Sequence, residues 1–462
     1  MATDSSSSPA QAGIPTMSIS PLSRLLSLLR PSALALAPLA LATVAAEVTL
    51  AATPMTEYED SPKVVIDEAW QIINREYVDN SFNQVDWQAV RQNLLGREYS
   101  SQEAAYGALR TALRQLNDPY TRFLSPAEYA DLTDQTSGEV SGIGVQLERN
   151  SQSGAVLVTG VVPGSPAEQA GVVVGDRILL VDGQSTERLT AEGVLQQLRG
   201  NEGSQVTLTI SRNGGGPRTL ILTRALMDLP TVEYSQKTVG GRPIGYIRLI
   251  EFNAHAAEQM AEAIRSLSDA GVEGFVLDLR GNPGGLLLAS IDISRMWLQH
   301  GPIVRTLDRS GNDEAISANR TALTDLPLTV LVDGRSASSS EILTGALRDN
   351  NRATVVGNTT YGKALVQSLH GLTDGSGLTV TVAHYYTPNG TDISSRGIVP
   401  DVEVGLSDRQ RRELFSNPAL LGTEADTQYL RAAEVLEQTI LASQGQPATA
   451  GASRLGRLDP AE

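Results

Sequence analysis

The chain has 462 residues, 41% of them hydrophobic and 4% aromatic, with 36 basic and 52 acidic side chains for a net charge of −16, and it contains no cysteine. At ~150 residues per domain this length gives about three units and excludes a small stapled module. The acidic balance argues against a nucleic-acid partner, and the missing thiols exclude disulfides, thiolate metal sites and cysteine nucleophiles.

The four histidines, His255, His300, His370 and His384, show no paired-ligand spacing, so neither a metal nor another cofactor is expected. The positive charge is almost entirely arginine: Lys63, Lys237 and Lys363 are the only lysines. An ammonium can lose its proton on burial and a guanidinium cannot, so each retained lysine raises a chemical question.

Met17 offers an alternative initiator, followed by Arg24, Arg30 and a charge-free Leu/Ala-rich run over 31–46 that closes on small residues. Residues 1–52 read as an export signal region. A membrane anchor is the alternative, disfavoured because the run is shorter than the ~20 residues that span a bilayer. From Ser61 onward Val64, Val65, Ala69, Ile72, Ile73 and Tyr77 recur at helical spacing, with similar faces in 84–96 and 102–116, so 56–130 is set as an N-terminal helical domain.

Over 136–226 the pattern changes to short strands between Gly-rich turns: 143–147, 155–162, 177–181, 206–210 and 219–222, with helices over 165–170 and 190–198. The run Val161-Val162-Pro163-Gly164-Ser165-Pro166-Ala167, followed by Gly175-Asp176-Arg177-Ile178-Leu179 and Val181-Asp182-Gly183, closely resembles a PDZ domain of the protease-associated type. The resemblance implies that an extended peptide adds as a strand, with its terminal carboxylate held by backbone N–H groups of Gly142-Ile143-Gly144. The plain alternative is that these glycines only make a turn.

After Met227 strands and helices alternate, which defines an α/β layer domain over 227–405, with chemistry expected in the turns at the carboxyl ends of its strands. The turn from Asp278 to Gly285 frees backbone N–H groups at a helix start, suited to an oxyanion, and no Walker pattern follows it. The turn from Asp333 to Glu341 places several hydroxyls where a strand meets a helix, with a capping box of Ser338 and Glu341 as the plain alternative. Lys363 lies next to Gly362 between apolar strands, where burial is expected to lower its pKa and let it take a proton from a serine; a surface lysine in a turn is the plain alternative. A serine with a lysine base is the dyad this sequence offers. Residues 406–442 read as a C-terminal helical segment and 443–462 as a flexible tail.

The segments Ser336-Ala337-Ser338-Ser339-Ser340-Glu341-Ile342-Leu343, Val356-Gly357, Tyr361-Gly362-Lys363 and Val366-Gln367, with the PDZ motifs and Tyr385-Tyr386-Thr387-Pro388-Asn389-Gly390, resemble the signature of the carboxyl-terminal processing peptidases, or tail-specific proteases, over about residues 60–405. That resemblance implies a crotonase-like α/β superhelix protease core with an inserted PDZ domain. It implies Ser338 as nucleophile, Lys363 as general base, Gln367 orienting the lysine, backbone N–H groups of Gly284 and Ser339 as the oxyanion hole, and Asp349 and Glu341 as supporting acids. Ser339 stands where alanine is usual, Ala364 where glycine is usual, and His384 where another basic residue is usual. The function implied is an exported serine endopeptidase that recognises apolar free C-terminal tails of proteins and cuts near them.

One branch of the family matures a photosystem II reaction-centre precursor in the thylakoid lumen, and the chain resembles it in Thr136-Ser137-Gly138-Glu139. The expected location is therefore the periplasm or the thylakoid lumen, with a membrane surface within reach. The competing readings are an inactive PDZ-type tail-binding protein, a general periplasmic quality-control protease and a crotonase-type acyl-CoA enzyme. Intact Ser338, Lys363 and Gln367 argue against the first, and the PDZ motifs argue against the last.

Overall fold

The structure is a computed structural model that describes residues 61–150 and 153–445; the export-signal region expected over 1–52 and the tail beyond 445 lie outside the described residues. Helix α1 (Pro62–Glu76) starts at a Ser61 cap with Pro62 in its first turn, α2 (Trp87–Leu95) at Asp86 and α3 (Gln102–Leu113) at Ser101. Their apolar faces bury Ile66, Ile73 and Leu109 together with Phe123, Leu378 and Val380, so the three helices share a core with strands from a distant part of the chain. Strand β1 (Arg122–Leu124) and helix α4 (Pro126–Ser137) follow, and α4 ends at Gly138 with φ 73°. That left-handed glycine turns the chain sharply into the next strand.

Strand β2 (Glu139–Gly142) pairs with β9 (Ala225–Asp228) as a two-stranded ribbon. Between them lie β3 (Val145–Arg149), β4 (Val156–Val161), α5 (Pro166–Gln169), β5 (Arg177–Val181), β6 (Gln184–Ser185), α6 (Ala191–Leu198), β7 (Gln205–Ser211) and β8 (Arg218–Thr223). The sheet order is β3-β4-β5-β7-β8, which leaves β3 at an edge, over a core of Ile143, Val158, Ile178, Val194, Leu208 and Ile210. On the ribbon Glu139 lies directly opposite Asp228, and His255 Nε2 stands 3.6 Å and 3.5 Å from their carboxylates.

The large sheet runs β10 (Val232–Val239), β11 (Arg242–Leu249), β12 (Phe275–Asp278), β15 (Leu328–Val332), β16 (Thr354–Gly357) and β19 (Val402–Glu403). Beyond the β10–β11 hairpin every pairing is parallel. Successive side chains of a strand face opposite sides. Accordingly Phe275, Leu277, Val330 and Val332 pack with α7 (Ala256–Asp269), α8 (Leu287–Trp297) and α9 (Ser339–Asp349), while Val276 and Leu331 pack with α11 (Thr427–Ser443). Helix α11 thus covers the second face of the sheet, and α10 (Asp408–Ser416) leads into it.

A second, antiparallel sheet has the order β1-β18-β13-β14, built from β13 (Pro302–Asp308), β14 (Asp313–Ser317) and β18 (Gly377–Tyr386), with β17 (Leu365–Gly371) also pairing β18. This sheet joins the N-terminal helices to the α/β layers and carries the segment after Lys363.

Candidate active site

Strands β12 and β15 are parallel neighbours, so the turns at their carboxyl ends lie side by side. They are stitched together by Ser336 Oγ donating to Leu279 O (2.8 Å), Ser339 Oγ to Gly285 O (2.9 Å), Ser340 Oγ to Asn282 O (3.0 Å) and Gly281 N–H to Asp333 Oδ1 (2.9 Å). At the junction Ser338 adopts φ 54° and ψ −115°. For a non-glycine residue that conformation persists only where the surroundings enforce it.

Glu341 does the enforcing. Its buried carboxylate accepts from the N–H groups of Ser338 (2.9 Å), Gly362 (2.6 Å) and Lys363 (2.9 Å) and from Thr360 Oγ1 (2.6 Å). The capping contact expected at Ser338 is therefore one arm of a clasp that joins the serine turn to the lysine turn. Burial raises the Glu341 pKa against the opposing pull of these four donors. The Tyr385 hydroxyl adds a second link, in hydrogen-bond reach of the carbonyl oxygens of Ser338 (3.1 Å) and Lys363.

Ser338, Ser339, Lys363 and Gln367 line one cavity of about 310 Å³. Lys363 is largely buried, with Nζ 4.6 Å from the centre of the Tyr120 ring, and burial lowers its pKa. The nearby Arg122 charge lowers it further, while Asp118 and Glu341 pull the other way. A β-bulge between Val366 and Gln367 shifts the register of β17 on β18, and Gln367 Nε2 is buried without a hydrogen-bond partner. Among the described residues no hydrogen bond joins Gln367 to Lys363.

The expected oxyanion donors differ from one another. Ser339 opens α9, so its N–H has no partner within the helix. Gly284 instead donates its N–H to Asn282 Oδ1 (2.9 Å), and a Cβ there would stand 2.8 Å from Ser338 Cβ. Gly284 thus allows the two turns to touch. It is Gly285 that lines the cavity, and its N–H has no protein partner among the described residues.

Asp349 is a correction to the sequence reading. It lies at the far end of the 11-residue helix α9, about 16 Å from Ser338 at 1.5 Å per residue, and does not line the cavity. There its carboxylate accepts from Thr387 Oγ1 (2.6 Å) and Asn389 N–H (3.1 Å) and pairs with Arg348 (3.2 Å), which secures the 387–389 turn.

The sequence reading missed the anchor of the first turn. Fully buried Arg280 pairs with Asp278 and Asp426, both at 2.6 Å, and Tyr246 donates to Asp278 (2.7 Å). Burial pushes Asp278 up, but the Arg280 charge and its hydrogen bonds outweigh that and hold the carboxyl below its ordinary value. The only sequence signal was an arginine beside an aspartate after an apolar strand; Asp426 lies 146 residues beyond Arg280 and gave none.

Gly142, Ile143 and Gly144 line a second cavity of about 310 Å³, between the free edge of β3 and α6. The carbonyls of Ile143 and Gly144 accept from Ala167 (2.8 Å) and Val162 (2.9 Å), while among the described residues the N–H groups of Ile143 and Gly144 have no protein partner. Gly144 has φ 80°, and a Cβ there would meet Ser165 Cβ at 2.3 Å. No carboxylate, thiol or imidazole lines either cavity among the described residues.

A family model for peptidase family S41 matches residues 243–404 and one for a PDZ domain matches 157–212. The chain is 41% identical over 371 residues to the carboxyl-terminal-processing protease of Synechocystis sp., covering 80% of this chain and 85% of that one. It is 40% identical over 360 residues to carboxyl-terminal-processing peptidase 2, chloroplastic, of Arabidopsis thaliana, covering 75% and 70%. A solved structure of a photosystem II D1 C-terminal processing protease is 38% identical, covering 74% of this chain and 93% of that one, with a TM-score of 0.47. The chain is a serine-type peptidase with the S41 fold and a PDZ domain. It belongs to the carboxyl-terminal-processing protease family. Its substrates are therefore proteins. Among the described residues no helix is long and apolar enough to cross a membrane.

Proposed function

We propose that Ser338 is the nucleophile and Lys363 its general base. Neutral Lys363 takes the Ser338 proton as Oγ attacks the scissile carbonyl, and the N–H groups of Ser339 and Gly285 receive the oxyanion. Lys363 then protonates the leaving amine and removes a proton from the water that hydrolyses the acyl-enzyme. Gly284 contributes close approach, and Gln367 borders the same cavity within the lysine's surroundings. The observation that carries this reading is the Glu341 clasp: one carboxylate fixes the backbone N–H groups of both Ser338 and Lys363 beside a shared cavity.

Under the same proposal the PDZ groove holds the free carboxyl end of an apolar tail at the N–H groups around Gly142, Ile143 and Gly144. The substrate is an exported protein, met in the periplasm or thylakoid lumen near a membrane surface, and the photosystem II D1 precursor is the first to try. The domain limits set from the sequence, with 136–226 as the PDZ unit and 227–405 as the protease core, belong to this proposal.

The test is mass spectrometry of a protein with an apolar free C-terminus after incubation with the parent chain, Ser338→Ala or Lys363→Ala, with the amidated tail as control. Tail removal is expected from the parent, to fall at least about a thousandfold in either variant, and to weaken on amidation. No cleavage by the parent, with equal tail binding by all three proteins, overturns the reading in favour of a tail-binding protein.

A further inference from the structure

In a chain with a net charge of −16, no Asp or Glu lines the cavity at Ser338 among the described residues. Its charged lining groups are Lys363, which the mechanism needs neutral, and Arg122, which is a permanent cation. Asp118 and Glu341 influence Lys363 from outside the lining. Nearby Arg110 is matched by Glu103 and Glu128, but the Arg122 guanidinium has no carboxylate partner among the described residues. Its backbone is fixed: β1 pairs β18 with Arg122 opposite Thr379, and the Arg122 N–H donates to Thr379 Oγ1 (3.2 Å).

Strand β17, in the same sheet, also lines the cavity from Leu365 to Leu369; among the described residues it pairs only β18, which leaves its other edge to align an extended peptide. On that strand the Gln367 amide is a second donor without a partner. The cavity therefore offers apolar surface, an unmatched cation and an unmatched N–H donor, with no carboxylate to serve a basic side chain.

We propose that Arg122 is a specificity-determining residue that receives a carboxylate of the substrate close to the scissile bond. This rests on the cavity at Ser338 being the catalytic one. The carboxylate is either an Asp or Glu side chain near the cut or the free terminus of a short tail. The same cation disfavours Lys or Arg at that position by like-charge repulsion, although Arg122 itself is exposed.

The experiment scans Glu, Gln and Lys through the six positions around the cleaved bond of one apolar-tailed peptide, each with free and amidated ends. The parent, Arg122→Gln and Arg122→Glu are compared, with Ser338→Ala as blank. At one position the parent is expected to favour Glu over Gln by about tenfold in kcat/KM, as for one charge-assisted hydrogen bond. Arg122→Gln abolishes the preference and Arg122→Glu inverts it toward Lys. If the terminus supplies the carboxylate, the scan is flat and the amidation penalty shrinks in Arg122→Gln instead. A flat scan with an unchanged amidation penalty overturns the inference, as does an equal loss on Glu and Gln peptides in Arg122→Gln. A parent that cuts no peptide at all overturns the catalytic reading instead.

Discussion

The two cavities have the same volume, about 310 Å³, and opposite construction. The groove at Gly142–Gly144 is lined mainly by the β3 edge, helix α6 and the β2–β9 ribbon, and beside the Gln146 and Arg199 side chains it holds the turn whose Ile143 and Gly144 N–H groups have no protein partner among the described residues. The cavity at Ser338 is assembled from six segments, around residues 120–122, 132–136, 283–287, 338–342, 363–369 and 379–385, and its serine and lysine turns are joined by the buried Glu341 carboxylate. A site that reads only a peptide backbone can be made locally from glycine turns. A site that, on the proposed mechanism, sets Ser338 beside Lys363 needs separate turns joined by a buried acceptor, here Glu341.

Removing the clasp should break the second cavity and spare the first. Glu341→Ala leaves four donors without their acceptor, and we expect a loss of at least about a hundredfold in kcat and ~3–5 kcal/mol of stability in urea unfolding, with tail binding retained. A kcat within threefold of the parent would reduce Glu341 to a helix cap.

Titration sharpens the contrast next, because the proposed mechanism uses the neutral form of Lys363, whose pKa burial lowers. Burial puts the Lys363 pKa below 10.5, so kcat/KM should rise with pH along a limb centred below that value. Between the native pKa and 10.5 the unfolded chain binds the extra proton, so the stability contributed by Lys363 rises with pH across that window and is lost as pH falls through the native value. Lys363→Arg, which cannot give up its proton, should show no such limb.

The converse experiment damages the groove alone. Gly144→Ala forces a left-handed residue against Ser165, and KM for free-tailed substrates should rise about tenfold while turnover of a short amidated peptide stays unchanged. The smallest effect is expected at Asp349. Asp349→Asn should change kcat less than about twofold and cost ~1 kcal/mol in a thermal melt, since it keeps most of the contacts to the 387–389 turn.

The same contrast explains what the sequence made legible. Strand Arg177–Val181 has the limits expected of it, and the helix start at Ser338 carries the capping pair with Glu341 that the sequence showed. Ser338, Ser339, Lys363 and Gln367 were singled out by residue type and motif, and the structure gathers them along one cavity. The antiparallel sheet was not assembled from sequence, because β14 is short and largely exposed and β1 has only three residues, so neither shows a buried apolar run. Asp349 was misplaced because a match to a motif was read as nearness to the site, although it lies at the far end of the 11-residue helix that follows Ser338. Gly284 and Gly285 were indistinguishable because adjacent glycines differ only in which N–H the fold leaves unmatched.

Arg280 and its two carboxylates join the first turn to a segment 146 residues further along the chain. During synthesis the first turn emerges with a guanidinium whose second counter-charge, Asp426, is still 146 residues from being translated. Until α11 arrives, that cation has no settled place in the sheet's second layer, and an unfinished polypeptide carries the serine and the lysine without the scaffold that aligns them. A chain that stops short of Asp426 would leave the buried Arg280 guanidinium with only one of its two carboxylates, so the first turn is completed only with the last helices.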